Sequence, residues 1–362
     1  MAKKAPTGPS GLIIVDKPAG MTSHDVVSKM RWLAGTRKVG HAGTLDPMAT
    51  GVLILGVNKA TKLLTWVVGE SKTYTATIRL GVSTLTDDAE GQVTALAPAG
   101  ALEALTDELI AEQVAALTGD IMQVPSAVSA IKVNGVRSYA RVRSGEAVEL
   151  EARPVTVHSF EVEGLDRLTA TYPVPSAESP AGEAVEKGSG QQEQNEYDVL
   201  DVRVTVICSA GTYIRALARD MGKALGVGAH LTALRRTAIG EIRAEDAHSL
   251  DTLIAGREAE QPLPLLALEE AARRLFGERL VNAQEATDLS NGRRISPSAG
   301  AEQAKRHSSA GGSRGGHDKP TTEGIVAAFA PDGTLVALIE NTRFRGEDLA
   351  APVLVFEAGR TF

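Results

Sequence analysis

In SKTYTATIRLG, residues 71–81, every second side chain falls on the same side of an extended chain. Tyr74, Ala76, Ile78 and Leu80 share one apolar face, while Thr75, Thr77 and Arg79 share the other. A period of two predicts a strand with one face against a core. Toward the N-terminus, GVLILGV (51–57) reads as a buried strand. TSHDVVSKMRWLAG (22–35) reads as a helix capped by Ser23 or Thr22, with Val26, Val27, Met30 and Leu33 on one side, and GLIIVDKPAG (11–20) as a strand running into a turn. Toward the C-terminus, LTDELIAEQVAALTGD (105–120) is an amphipathic helix opening at Thr106, and Asn134-Gly135 marks a hairpin turn. RPVTVHSFEVEG (153–164) and YDVLDVRVTVICS (197–209) are two more strands, and GTYIRALARDMGKALG (211–226) starts another helix.

Strands dominate residues 51–207, with helices placed irregularly rather than in βαβ order. The expected class is α+β around a largely antiparallel sheet. Two polar tracts interrupt it. Residues 176–196, rich in Gly, Ser and Gln, read as a mobile insertion in a hairpin, and residues 296–320 as a second insert. A linker-like zone around AGREAEQPLPLL (255–266) precedes a helix and the strands in GIVAAFAPDGTLVALIE (324–340) and APVLVFEAG (351–359). The expected domains are therefore 10–260 and a small β-rich unit over 270–362.

Bulk properties narrow the function. A length of 362 residues suggests two domains or more, and Cys208, the one cysteine, permits neither an internal disulfide nor a cysteine-rich zinc site. MAKKAPTGPS is basic but is not followed by the apolar run of a signal peptide, and no stretch of 18 apolar residues occurs. A cytoplasmic protein without a membrane partner is expected. The net charge of −7 conceals an asymmetry, because residues 1–80 hold eleven Lys or Arg against four Asp or Glu. Residues 200–243 hold seven against three. A basic surface built from these two segments suits nucleic acid despite the acidic average. No phosphate-binding loop or dinucleotide fingerprint is present.

The chemistry-bearing candidates start with RKVGHAGTLDPMATG (37–51), a stretch neither helix-like nor strand-like that carries one carboxylate, Asp46. TLDP could be an Asx turn in which Asp46 caps backbone N–H groups. The density of Gly40, His41, Gly43, Thr44, Pro47 and Gly51 favours instead a carboxylate presented to a ligand, as nucleophile or base. Tyr74 could be core packing or a platform for an unstacked base. If Thr212 caps its helix, Arg215 stands at N3, where a cation opposes the dipole and a facing carboxylate would suit it. Asp46 is the candidate for that carboxylate. Arg219, one turn on, could meet phosphate or solvent. The histidines never reach metal-ligand spacing, so no metal is expected.

Five blocks then form a pattern. GLIIVDKPAGMTSHDVV, RKVGHAGTLDPMATGVLILGV, KTYTATIRLG, ICSAGTYIRALARDMG and GAHLTALRRTAIG span roughly residues 11–240. In order and content they resemble the TruB family of bacterial tRNA pseudouridine synthases, with GHAGTLDP the most diagnostic. The resemblance implies isomerisation of uridine-55 in the T loop of tRNA to pseudouridine, with no cofactor and no obligate protein partner, by a monomer. It implies a pseudouridine synthase fold, a long, mostly antiparallel mixed sheet flanked by helices, followed by a small PUA-like RNA-binding domain. On this resemblance Asp46 is the catalytic aspartate, Arg215 its ion-pair partner and Tyr74 the ring that stacks on the target base. His41 packs against the RNA loop and aids extrusion, Tyr213 and Leu234 line the uracil pocket, Lys17 lies in a basic element near RNA, and Asp88 supports its loop. A uracil-releasing RNA glycosylase and a non-catalytic RNA-folding helper are the competing readings. The first would want a second acid.

Overall fold

Apolar residues in unbroken runs must bury both faces of a strand, and the N-terminal strands do so. In the computed structural model, which describes residues 8–126, 132–133, 136–137, 150–173, 194–297, 322 and 324–362, β1 (Gly11–Lys17) feeds α1 (Ser23–Leu33). β2 (Val39–Ala42) and β3 (Thr50–Val57) follow, then α2 (Leu64–Val67). β1 and β3 pair antiparallel from Gly11↔Val57 to Lys17↔Gly51. Their side chains alternate between two cores. Ile13, Val15, Leu53 and Leu55 join Val26, Val27, Met30 and Leu33 of α1, whereas Leu12, Ile14, Val52 and Ile54 join Trp66, Leu268, Phe276 and Phe329. Thr22 is the cap of α1, in a reciprocal capping box with Asp25.

The second stretch of chain carries β4 (Lys72–Leu80), β5 (Val82–Thr84), β6 (Val93–Leu96), α3 (Asp107–Ala116) and β7 (Gly119–Gln123). β8 (Lys132–Val133) and β9 (Val136–Arg137) pair with each other, but the Asn134-Gly135 turn expected between them lies outside the described residues. β10 (Arg153–Pro173) and β11 (Gln194–Cys208) form a long antiparallel ribbon, then come α4 (Ile214–Ala224) and β12 (Ala229–Ile239). The sheet order here is β12-β4-β11-β10-β7. The expected face of β4 is the buried one, and Tyr74, Ala76 and Ile78 stand opposite Val206, Val204 and Val202. On the other face Arg79 meets Asp201 of β11 with two hydrogen bonds of 2.7 Å, an opposite-charge cross-strand pair.

The ribbon departs from the sequence reading. Residues 194–196 belong to β11 rather than to an insertion, because Gln194–Glu196 pair with Pro173–Thr171. The rest of the tract 176–196 lies outside the described residues, as does 296–320 apart from residues 296 and 297.

The chain closes with β13 (Ile242–Arg243), β14 (His248–Ser249), α5 (Leu250–Glu258), β15 (Leu266–Ala267), α6 (Leu268–Leu275), β16 (Gly277–Leu280) and α7 (Ala283–Ser290). β17 (Ile325–Phe329), β18 (Leu335–Phe344) and β19 (Glu347–Val355) complete a four-stranded sheet in the order β16-β17-β18-β19. This is the small C-terminal sheet expected from the sequence, of PUA-like architecture. Its β18–β19 turn is Arg345-Gly346, both at positive φ, as a two-residue hairpin loop requires. β1–β14 and β16–β17 are parallel pairs, whereas β1–β3, β2–β3, β4–β11, β7–β10, β10–β11, β17–β18 and β18–β19 are antiparallel. Contacts divide the chain into two units: Met1–Pro47, Gly51–Glu70 and Ile239–Phe362 in the first, Met48–Thr50 and Ser71–Ala238 in the second. The class is α+β.

Candidate active site

The glycine-rich stretch around Asp46 is shorter than the sequence suggests. Residues 39–42 are strand β2, paired with β3 from Val39↔Val57 to Ala42↔Ile54, so irregular backbone begins only at Gly43. Backbone pairing overrides the poor strand propensity of Gly40 and His41. The loop is bounded by Gly43 at φ +75° and Gly51 at φ +100°, conformations that a side chain would strain.

Both neighbours of Asp46 are pinned. The buried Ser23 hydroxyl, at the start of α1, donates to Leu45 O (3.1 Å) and accepts from Leu45 N–H (2.9 Å). Pro47 O accepts from Gly20 N–H at 2.9 Å and from the Lys17 ammonium at 3.1 Å. Lys17 is fully buried, and its Nζ also donates to Pro18 O and Met21 O. Its charge is therefore held by backbone carbonyls of residues 18, 21 and 47. Asp46, half-buried between these anchors, is the only Asp or Glu from residue 26 to residue 69, against six Lys or Arg. His41, on β2, meets His24 edge to face, ring centroids 5.6 Å apart.

In the second unit the cap of α4 is Tyr213, without a side-chain bond. The Thr212 hydroxyl donates to Ser209 O instead, so the expected Thr212 cap is corrected and Arg215 stands at N2 rather than N3. A carboxylate does face it: Arg215 Nη1 donates to Asp88 Oδ2 at 3.1 Å and to Thr86 O at 2.8 Å, with both side chains 4% exposed. Asp88 Oδ1 accepts from the Thr86 hydroxyl and from Glu90 N–H, so the TDDAEG turn is wrapped around this carboxylate. Burial pushes the neighbouring Asp87 carboxyl above its ordinary range, against the opposing pull of Arg219. Arg219 is neither a free cation nor merely solvated. It reaches Asp220 (2.8 Å), Asp87 (3.5 Å) and Val124 O (2.7 Å).

Tyr213 is fixed through its backbone. Its N–H donates to Gln123 Oε1 at 2.8 Å and its carbonyl accepts from Gln123 Nε2 at 3.1 Å. Leu234 on β12 and Tyr74 on β4 are each 7% exposed. Lys17, His41 and Asp46 thus belong to the first unit, and Tyr74, Asp88, Tyr213, Arg215 and Leu234 to the second. Sequence reasoning missed Ser23, Thr86 and Gln123 as supports, since nothing in the local pattern announces partners 22, 129 or 90 residues away. Among the described residues no cluster of His, Cys, Asp and Glu could hold a metal, and no helix is long and apolar enough to cross a membrane.

Comparison with known proteins places these features in a family. Residues 31–178 match the model of the TruB family pseudouridylate synthase N-terminal domain, and residues 215–269 that of the tRNA pseudouridylate synthase B C-terminal domain. The chain is 54% identical over 350 residues to tRNA pseudouridine synthase B of Paenarthrobacter aurescens, covering 97% of this chain and 96% of that one. It is 48% identical over 344 residues to the same enzyme of Streptomyces coelicolor, covering 95% and 97%. Among solved structures, the fold is similar to a chain in an H/ACA RNP bound to a substrate RNA containing 2'-deoxyuridine. The TM-score is 0.59 at 22% identity, over 97% of this chain and 86% of that one. A chain of a Cbf5-Nop10-Gar1 complex shares it at TM-score 0.57 and 22% identity, over 96% and 85%. On the strength of these full-length matches, the chain belongs to the TruB family and is a tRNA pseudouridine synthase.

Proposed function

We propose that this enzyme isomerises uridine-55 in the T loop of tRNA, with Asp46 as the reacting carboxylate, Arg215 as its guanidinium partner and Tyr74 as the ring beneath the extruded base. The observation that carries the reading is the setting of Asp46. It is the sole acid in a long basic segment, held on a loop whose neighbours on both sides are tied to α1 and to Lys17.

The reaction breaks the N1–C1′ bond, turns the uracil and joins C5 to C1′, with N1 gaining a proton and C5 losing one. Nothing is consumed, so no cofactor is required. An ionised carboxylate serves either route, attack on C1′ or removal of the C2′ proton, and a nearby guanidinium favours that form. Arg215 then serves two carboxylates, Asp88 on its own unit and Asp46. Extruding the base costs a few kcal/mol, of which stacking on an aromatic ring returns roughly 1–3 kcal/mol. His41 helps to hold the base out, and Tyr213 and Leu234 shape the uracil pocket. Lys and Arg of the two basic segments neutralise phosphate. The reading places the enzyme in the cytoplasm with its tRNA, acting without a protein partner.

The test is incubation of unmodified tRNA with wild type and with Asp46→Asn, followed by mapping of pseudouridine. Modification at position 55 by wild type, and none by an Asp46→Asn protein that still binds T-arm RNA, is expected. Turnover by Asp46→Asn, or free uracil and an abasic site as products, would end the reading.

A further inference from the structure

The C-terminal end of α1 carries a pocket that the chemistry above does not use. It has a volume of about 640 Å³ and is lined by Arg31, Trp32, Gly35, Thr36 and Arg37. Trp32 is 49% exposed, although large aromatic rings are usually highly buried. It is also held in place. The Arg257 guanidinium, from α5, lies 4.9 Å from the ring centroid, and the same side chain donates to Leu33 O at 2.9 Å, satisfying a carbonyl at the helix end. Arg31, Arg37 and Lys38 are exposed, and none makes an ion pair among the described residues. From residue 26 to residue 45 the chain has four cations and no acid.

A rigid exposed ring beside unneutralised guanidinium groups is the chemistry that grips single-stranded nucleic acid: the base stacks and the cations take phosphate. An acidic peptide would satisfy the cations and leave the ring without a reason. The other end of α1 fixes the distance to the reacting carboxylate, because Ser23 is hydrogen-bonded to Leu45, the residue before Asp46. Nine residues of helix separate Ser23 from Trp32, about 14 Å at 1.5 Å each. At about 3.4 Å per stacked nucleotide that is roughly four nucleotides.

We propose that this pocket is a second RNA subsite, taking an unpaired base on Trp32 and adjoining phosphates on Arg31 and Arg37, a few nucleotides from the uridine being isomerised. The inference rests on the tRNA reading of Asp46. It assigns α1 two duties, bracing the catalytic loop at one end and holding RNA at the other.

The experiment measures binding of a T-arm RNA across a salt series for wild type, Trp32→Ala, Trp32→Phe and the double variant Arg31→Gln/Arg37→Gln. Single-turnover pseudouridine formation at saturating RNA is followed in parallel. Trp32→Ala should raise Kd about tenfold and Trp32→Phe should largely restore it. The double variant should lower the steepness of the log–log salt dependence by about two. The saturated rate should stay at the wild-type value in all of them. In a Trp66→Phe background, which leaves Trp32 as the only indole, RNA should quench the remaining fluorescence. Wild-type affinity and salt dependence in both Trp32→Ala and the double variant would overturn the subsite while wild-type turnover leaves the reading of Asp46 standing. If Trp32→Ala does not fold, the double variant, which alters only surface charge, decides alone. Absence of pseudouridine with wild type would instead refute the function on which the subsite rests.

Discussion

Asp88 Oδ2 and Arg215 Nη1 sit 3.1 Å apart with both side chains almost wholly buried, joining the TDDAEG turn to the first turn of α4. A buried pair of this kind is costly to break from one side, because the survivor keeps its charge without its partner. Asp88→Ala should therefore lose about 3 kcal/mol or more of stability, read as a lower urea midpoint. Asp88→Asn, which keeps an acceptor for Arg215, should lose less. Equal stability of Asp88→Ala and wild type would show that the pair carries no such load.

Ser23 offers a separation of loop order from RNA affinity. Its hydroxyl satisfies both backbone groups of Leu45, and Ser23→Ala leaves them buried without that partner at about 1–3 kcal/mol. The expected outcome is a lower single-turnover rate with T-arm RNA affinity close to wild type. An unchanged rate would show that the position of Leu45 does not govern that of Asp46.

Gly43 tests the loop at its hinge. At φ +75° an added Cβ costs about 1–2 kcal/mol, so Gly43→Ala should reduce both melting temperature and turnover. Gly40, next to His41, is not in this left-handed region. In Gly40→Ala the new methyl meets Leu64 Cδ1 at 3.2 Å, a contact that a small side-chain shift relieves. Gly40→Ala should be the milder of the two.

His230 gives a pH signature. Arg79 Nη1 donates to the Tyr172 hydroxyl (3.2 Å), which donates to His230 Nε2 (3.3 Å), and Nδ1–H donates to Val82 O (2.8 Å). This chain of donors requires a neutral imidazole. Burial, aided by the positive charge of Arg79, lowers its pKa below the ordinary 6.5. The unfolded chain then takes up the proton first as pH falls, so the contribution of His230 is complete above about 6.5 and is lost progressively below it. Urea midpoints measured from pH 7.5 to pH 5 should fall more steeply for wild type than for His230→Gln. Parallel curves would remove His230 from the account.

Where the chain alternates strictly or caps a helix, the sequence alone was enough. The buried face of β4, the apolar side of α1 and the opening of α3 at Thr106 all follow from side-chain period and capping chemistry. The outer half of β10 carries no strand signal because none of Glu161–Thr171 is buried, which erases the period of two on that side, whereas its partners Val199, Leu200, Val202 and Val204 on β11 are buried and the sequence of β11 shows it. Val39–Ala42 escaped because its strand character comes from β3 and not from its own residues. The candidate site divides in the same way. Asp46 stood out by its isolation among glycines and cations, whereas the buried lodging of Lys17 depends on carbonyls of residues 18, 21 and 47, which only the folded chain assembles. The role of Arg215 was legible as a demand for a carboxylate, and Asp88 meets it within the second unit.

The alternation of β1 and β3 between two cores sets a limit on how this enzyme can change. Deleting or inserting a single residue within 12–15 or 52–55 would invert the strand, sending the partners of α1 into the layer of Trp66 and Phe276, and the reverse. Length variation among relatives should accordingly be absent from these two strands. The same strands carry the loop of Asp46 at their Lys17–Gly51 end, so the stem of that loop is among the parts of the chain least open to evolutionary drift in length.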